Sequence, residues 1–372
     1  MSGPPPDFVR VEALWTGDHF TGPTRLSLVG ECLHPTTSSP ERPNTHDGSA
    51  PSNVLLLGGT VVPSLTDHHT HLGLSDPGAL FQGGITHAVD LGWIPSVAAA
   101  WLDDSPHRPA IAIAGALLTA PGGYPVNAGW APPGAAKEVG GPREAREAVR
   151  QQVMAGASRI KIALNSDAGE TVDNASLSAI VEESHAAGLP VVAHAQGAGQ
   201  TARALRGGVD QLAHTPFTER LDDDVVAEAV DAGMIWISTL DIHGWGTPTT
   251  GYRIAVDNLR RFIARGGHVL YGTDLGNGDL PVGVNARELA AIQEAGLQGV
   301  DLIRTIAGTG TGAGPCTGSS TDATAPAPLG PRIAWIPSPP PADPAHLPGW
   351  LATARGLHIS DLASTDLRQE HP

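Results

Sequence analysis

The chain of 372 residues is poor in charged, basic and aromatic side chains. Charged residues make up 16% of it, and 38 acidic against 22 basic residues give a formal net charge of −16. Such a deficit of basic side chains argues against electrostatic binding to nucleic acid or to an anionic membrane surface. The composition says little about a small-molecule ligand, which needs only a local site.

Cysteine is nearly absent as well. Cys32 and Cys316 are too few for a disulfide framework and lack the spacing of metal ligands, which fits a reducing compartment. No basic segment followed by an apolar one opens the sequence, so no signal peptide is expected. No apolar run reaches the roughly 18 residues of a membrane-spanning helix. These absences predict a cytoplasmic protein without a membrane segment.

Short aliphatic runs alternate with helical patterns through the middle of the chain. Eight such runs occur, at 61–66, 85–90, 110–114, 159–163, 190–193, 211–213, 234–238 and 269–272. Helical patterns between them include 142–155, 174–187, 222–232 and 254–265. Eight buried strands alternating with helices predict an α/β fold, a (β/α)8 TIM barrel. An open doubly wound sheet is the alternative, but no Gly-x-Gly-x-x-Gly follows the first strand.

The two ends of the chain have a different pattern. Short strands are predicted at 8–14, 25–29, 54–57 and 331–336, and the polar stretches 34–53 and 308–327 resemble a loop and a linker. We therefore expect both termini to build a small β-sandwich domain beside the barrel. The predicted division is 1–60 for its N-terminal part, 61–312 for the barrel, and 313–372 for the linker and C-terminal part.

Residues with metal-binding side chains recur where the predicted strands end, which is where the reactive groups of such a barrel lie. His69 and His71 are two residues apart and share one face of a strand. The later strands carry one such residue each: Lys161, His194, His214 and Asp274. Imidazole and carboxylate suit zinc and related ions. Each alone also fits a structural role, such as a helix cap or a buried core histidine, but a coincidence of all six favours a metal site.

The order of these motifs resembles the amidohydrolase superfamily, in particular its imidazolonepropionase-like and prolidase-like metal hydrolases. The family opening Pro-Gly-Leu-Ile-Asp-x-His-x-His appears as Pro-Ser-Leu-Thr-Asp-His-His-Thr-His at 63–71. Further matching elements are Gly-Ile-Thr-His-Ala-Val-Asp-Leu-Gly at 84–92, Val-Ala-His at 192–194, Gln-Leu-Ala-His at 211–214 and Gly-Thr-Asp at 272–274. The resemblance covers residues 54–305, while residues 306–312 and the tail depart from the family pattern.

The resemblance implies a binuclear centre of two divalent ions, with zinc favoured. His69, His71 and Asp274 would hold a buried ion, and His194 and His214 a more exposed one. Lys161 would be carboxylated by CO2 and bridge the ions. A metal-bridged hydroxide would attack a carbonyl, with Asp274 as general acid and base, and cleave the C–N bond of an amide or cyclic amide other than an ordinary protein peptide bond.

Several alternatives stay open at this point. A mononuclear deaminase or imidazolone hydrolase needs no lysine on the fourth strand, so Lys161 argues against it. The same site would also serve lactone, ester or phosphoester hydrolysis, and a non-catalytic binding protein on this fold is a further alternative. The sequence leaves the oligomeric state open, a homo-oligomer included.

The substrate is expected to be a small molecule, and its contacts are the least determined part of the prediction. Candidate contacts follow the third, fourth and seventh strands: Tyr124, Asn165, Asp241, His243 and Trp245. A packed loop with a capping Asp241 is an equally good interpretation of the last three.

Overall fold

The computed structural model describes residues 5–36, 53–308, 316 and 327–363. The strands of these residues are β1 (Phe8–Val11), β2 (Ala13–Leu14), β3 (Thr24–Val29), β4 (Cys32–Pro35), β5 (Val54–Leu56), β6 (Thr60–Val62), β7 (Thr66–Thr70), β8 (His87–Asp90), β9 (Ala110–Ile113), β10 (Leu117–Thr119), β11 (Ala136–Glu138), β12 (Ile160–Asn165), β13 (Val191–Gln196), β14 (Gln211–Leu212), β15 (Ile235–Ile237), β16 (His268–Leu270), β17 (Arg332–Ile336) and β18 (Arg355–His358).

The helices of the same residues are α1 (Pro77–Gln82), α2 (Pro95–Ala98), α3 (Pro142–Met154), α4 (Asn174–Ala186), α5 (Gln200–Arg206), α6 (Asp223–Asp231), α7 (Thr250–Ala264), α8 (Ala286–Ala295), α9 (Gly299–Ile306) and α10 (Leu347–Leu351). Short 3-10 turns occur at Leu72–Leu74, Ala99–Leu102, Asp241–His243, Pro344–His346 and Ile359–Ala363. Across the described ranges, none of the helices combines the length and apolar character needed to cross a membrane.

Two parallel sheets form the middle of the chain, which confirms the predicted α/β class. Seven strands pair in the order β11-β10-β12-β13-β14-β15-β16, and three more in the order β7-β8-β9. Backbone hydrogen bonds connect the two sheets at both junctions. Ser158 N donates to Ile113 O at 2.9 Å, and His68 N donates to Tyr271 O at 3.0 Å. The second junction brings the histidine strand β7 beside the segment that follows β16.

The predicted helices 142–155, 174–187 and 222–232 are confirmed to within a residue at each end. The fourth begins at Thr250, earlier than predicted, because the side chain of Thr249 accepts a hydrogen bond from Tyr252 N and caps the helix there. The first predicted parallel strand, 61–66, is wrong. Val61 and Val62 belong to β6, and the following Pro63, which has no N–H to donate, separates β6 from β7.

Two four-stranded sheets contain the ends of the chain, in the orders β4-β3-β1-β5 and β18-β17-β6-β2. Their apolar side chains share one core, which includes Val9 and Leu26 from the N-terminal part and Trp335 and Leu357 from the C-terminal part. Most of the predicted loop 34–53 and linker 308–327 lies outside the described residues. The division at residues 60 and 312 stays a prediction.

The two cysteines are bonded to each other, contrary to the sequence-based expectation. Cys32 on β4 and Cys316 form a disulfide that spans 284 residues. Their separation in sequence concealed the pairing, because the spacing of two distant cysteines carries no geometric information. Disulfides are typical of oxidising compartments, so the pairing weighs against the reducing compartment that the sequence suggested. The cytoplasmic location therefore stays a prediction that the structure does not favour.

We expect Cys32→Ser to lower the free energy of unfolding by about 2–4 kcal/mol, because a disulfide restricts the unfolded chain. Urea unfolding of the variant and of the oxidised wild type measures the difference. Reduction of the wild type serves as the matched control, since it should reproduce the variant and expose two titratable thiols. An oxidised wild type that already has two free thiols would contradict the pairing.

Candidate metal site

The histidine pair of β7 points at one carboxylate. His69 Nε2 lies 3.0 Å and His71 Nε2 lies 3.2 Å from Asp274 Oδ1, as expected for residues on one strand face. The other ring nitrogens face backbone carbonyl oxygens, His69 Nδ1 at 2.8 Å from Ala213 O and His71 Nδ1 at 3.1 Å from Gly92 O. A carbonyl oxygen only accepts, so each Nδ1 carries the proton and each Nε2 of a neutral ring is left with a bare lone pair.

A second pair of imidazoles meets on the neighbouring strands. His194 on β13 and His214, two residues past β14, place Nδ1 and Nε2 at 2.9 Å from each other. His214 Nδ1 is held 2.9 Å from Thr239 Oγ1. Burial lowers the pKa of His194 to about 3 and that of His214 well below its ordinary value. Two buried neutral rings that face each other at this distance need a shared proton or a cation between them.

Asp274 lies at the centre of these rings. His69, His214 and Asp274 each offer one atom that could bind a metal ion, and these three atoms lie within 4.8 Å of one another. All three residues are buried. Burial raises the pKa of Asp274, but the charge and hydrogen bonds of the histidines outweigh burial and hold it well below the ordinary value. Asp274 adopts a left-handed backbone conformation, φ +59°, and its Oδ2 accepts a hydrogen bond from Asn277 Nδ2 at 2.9 Å.

Lys161 is buried on β12 with 1% of its surface exposed. Its Nζ has no hydrogen-bond partner among the described residues. Burial lowers the pKa of this ammonium to about 7, although the charges of Asp274 and Asp90 oppose the shift. A buried polar atom without a partner is costly, so Lys161 fits a site that supplies a partner for its nitrogen.

These observations fit a metal centre. Burial lowers the pKa of His69 to about 4, so at neutral pH its Nε2 lone pair faces a carboxylate oxygen without a proton between them. Burial also lowers the pKa of His71, but its hydrogen bond to Asp274 outweighs burial and leaves the pKa raised. Divalent cations favour such sets of imidazole and carboxylate donors, and they would satisfy each bare nitrogen.

Two further carboxylates position the ligands, and the sequence analysis assigned neither of them a role. Asp67 accepts hydrogen bonds from His69 N and Thr273 N, each at 3.0 Å, and so connects β7 to the segment that carries Asp274. Asp90 accepts from Leu72 N at 2.8 Å and from Gly92 N at 3.1 Å. The sequence offered one signal for these roles, which is spacing. Asp67 lies two residues before His69, and Asp90 lies two residues before Gly92, whose carbonyl oxygen faces His71.

The predicted substrate contacts separate into two groups. Tyr124 and Asn165 lie against His194: the Tyr124 ring stacks at 4.9 Å between centroids, and Asn165 Nδ2 is 3.3 Å from His194 Nε2. His243 packs against Phe217 with ring centroids 4.0 Å apart. Trp245 is partly exposed, and its Nε1 donates a hydrogen bond to Asn277 O. The side chain of Asn277 in turn donates to Asp274 Oδ2.

Asp241 is occupied by protein partners. Its carboxylate accepts from Arg287 Nε, 2.9 Å to Oδ2, and from Asn285 Nδ2 at 2.8 Å. Glu288 on α8 accepts from the backbone N–H groups of Leu240 and Asp241 at 2.9 and 2.7 Å. These bonds fix the loop after β15 to α8, so the alternative interpretation of Asp241 as a structural residue agrees with its contacts.

The sequence matches no protein-family model and no curated protein. Its fold is similar to solved structures of amidohydrolase-superfamily proteins. An A. niger ochratoxinase is 17% identical, with 93% of this chain and 91% of that chain covered and a TM-score of 0.71. A Xaa-Pro dipeptidase is 20% identical, with 80% and 86% covered and a TM-score of 0.65. For a bottromycin amidohydrolase the identity is 20%, the coverage 98% and 90%, and the TM-score 0.62.

This likeness in fold agrees with the α/β class and with the resemblance drawn from the motifs. At identities of 20% or less these likenesses establish the fold alone, so any activity has to be argued from the site. The structural neighbours are hydrolases, and the chain's own cluster of His69, His214 and Asp274 has the composition of a metal site.

Glu288 should make the stability of the protein depend on pH. Burial raises its pKa from 4.5 to about 7, so between these values the folded state keeps a proton that the unfolded state has released. Stability therefore falls as the pH rises from 4.5 through 7, by about 3 kcal/mol for this group. Glu288→Gln should reduce this slope in urea unfolding at stepped pH and leave the part contributed by Asp67, whose pKa burial also raises to about 7. The matched control Glu294→Gln, on the same helix, should keep it, and an unchanged slope in Glu288→Gln would contradict the assignment.

Proposed function

We propose that this protein is a metal-dependent hydrolase that cleaves the C–N bond of an amide or cyclic amide in a small molecule. The observation that carries the proposal is a buried cluster of four imidazoles and one carboxylate, in which His69 and His71 face Asp274 and His194 faces His214. The same proposal takes the two parallel sheets as one closed (β/α)8 barrel, because backbone hydrogen bonds join them at both junctions.

His69, His71 and Asp274 would hold one divalent ion, with His194 and His214 holding a second. Such ions would acidify a water molecule and polarise the substrate carbonyl. Zinc is the favoured metal because the donor set is dominated by imidazole. The backbone and hydroxyl acceptors at His69, His71 and His214 fix the ring orientations in advance, which strengthens binding.

Lys161 would join the two ions as a carbamate formed with CO2. Its buried Nζ has the lowered pKa, about 7, that makes the neutral and therefore nucleophilic amine available at physiological pH. The carbamate would offer two oxygens where the ammonium offers none, which accounts for a buried lysine without a hydrogen-bond partner among the described residues.

Asp274 would act as general base and then as general acid. Its low pKa keeps the carboxylate ionised and able to accept the proton of the attacking water. The water oxygen bonds to the carbonyl carbon, the C–N bond breaks, and Asp274 returns the proton to the leaving nitrogen. The hydrogen bond from Asn277 to Oδ2 holds the carboxylate so that Oδ1 faces the histidines.

The neighbours support this choice of bond. The Xaa-Pro dipeptidase and the bottromycin amidohydrolase are named for cleavage of peptide or amide bonds. Ester or lactone hydrolysis would use the same groups. A one-ion deaminase-like site is the second candidate, favoured by the compact trio His69, His214 and Asp274.

Metal content per chain distinguishes these candidates. Protein purified without chelator should contain two divalent ions, and its intact mass should exceed that of Lys161→Ala by the side-chain difference plus one CO2. His194→Ala should lose one ion and amide hydrolysis, whereas the exposed control His185→Ala should keep both. One ion together with an unmodified Lys161 would replace the two-ion proposal by the one-ion candidate.

Asp274→Asn should lower kcat for amide hydrolysis by about 10²- to 10⁴-fold, because the amide accepts no proton from the attacking water. The four histidines should still bind metal, so metal content is measured beside the rate. Asn277→Ala is the positioning control, with a smaller loss expected. A variant that keeps its metal and full kcat would exclude Asp274 as the proton carrier.

A further inference from the structure

Four partly exposed rings surround the buried histidines, in a chain in which 4% of the residues are aromatic. We call them the aromatic collar: Tyr124, Trp130, Phe217 and His243. Tyr124 stacks on His194 at 4.9 Å between centroids, and Trp130 lies 4.9 Å from His71. Phe217 lies 6.4 Å from His214 and stacks on His243 at 4.0 Å. The collar therefore touches three of the four proposed histidine ligands directly.

The collar comes from loops on both sides of the strands that carry Lys161 and His194. Tyr124 and Trp130 lie between β10 and β11, whereas Phe217 follows β14 and His243 follows β15. In the sheet, β12 and β13 separate β10 from β14 and β15. The partly exposed rings of the collar therefore flank the buried histidines from two sides of the strands β12 and β13.

The collar also presents polar atoms that suit a planar amide. His243 Nε2 is buried and has no hydrogen-bond partner among the described residues. Trp130 Nε1 donates to Tyr124 Oη at 3.2 Å, which leaves the Tyr124 hydroxyl proton for a bound acceptor. Arg287, which follows in the same region of the chain, is already engaged by Asp241. The collar thus combines ring faces with uncharged hydrogen-bonding groups.

We propose that the substrate carries an aromatic ring beside the scissile amide and that the collar selects it, with Phe217 and His243 as specificity-determining residues. This inference rests on the proposed amide hydrolysis. Stacked or edge-on ring pairs contribute about 0.5–1.5 kcal/mol beyond the area they bury, which corresponds to about a two- to tenfold preference over a saturated ring of the same size.

The test compares N-acetyl-L-phenylalanine amide with N-acetyl-L-cyclohexylalanine amide and N-acetyl-L-lysine amide, for binding by calorimetry and for hydrolysis. We expect the phenylalanine amide to bind about two- to tenfold more tightly than the cyclohexyl analogue. Phe217→Leu should abolish this difference and leave binding of the cyclohexyl analogue nearly unchanged. Phe20→Leu is the matched control, since Phe20 packs against Trp15 and Trp350 away from the site, and it should keep the preference.

The outcomes separate the two proposals. Equal binding and hydrolysis of the phenylalanine and cyclohexyl amides would overturn the collar as a selector while leaving amide hydrolysis standing. Tighter binding of the lysine amide would also overturn it, since the rings would then act as a cation site. Selective binding that Phe217→Leu removes, without hydrolysis of any amide by the metal-loaded protein, would support the collar and count against the proposed reaction.

Discussion

The burial of four imidazoles around one carboxylate is the constraint on which the rest of the structure depends. Three of the four rings are oriented by a hydrogen-bond partner behind them, and each partner belongs to a different strand or loop: Ala213 O, Gly92 O and Thr239 Oγ1. The parallel sheets must therefore keep their register for the other ring nitrogens of these three histidines to face the site. Asp67 and Asp90 extend this requirement, because their carboxylates bond the backbone of the ligand segments themselves.

The approach of these side chains to one another could be predicted because it depends on local rules. Alternation along a strand places His69 and His71 on one face, and parallel strands end at one edge of a sheet. The strand bounds were less predictable: His194 lies within β13, and Asp274 lies four residues beyond β16. The disulfide between Cys32 and Cys316 could not be predicted, since it depends on a contact between distant segments.

The predicted substrate contacts show the same difference between features that depend on local sequence and features that depend on contacts between distant segments. Asp241 was a candidate contact, yet it pairs with Arg287, a partner that no short motif reveals. Phe217 was not predicted from the sequence to contact a substrate, because a lone phenylalanine after a strand usually packs in the protein interior. Its relation to His243 and His214 emerges only when the loops after β14 and β15 are placed side by side.

The backbone at the site has a consequence for the evolution of this chain. Asp274, Thr239 and Trp245 have positive φ values of 59°, 41° and 47°, where side chains with a β-carbon are strained. Selection for stability alone would place glycine or asparagine there. The aspartate at 274 therefore occupies a backbone conformation that glycine would adopt with less strain. Stabilised descendants of this protein would gain their stability at other positions, or lose the site.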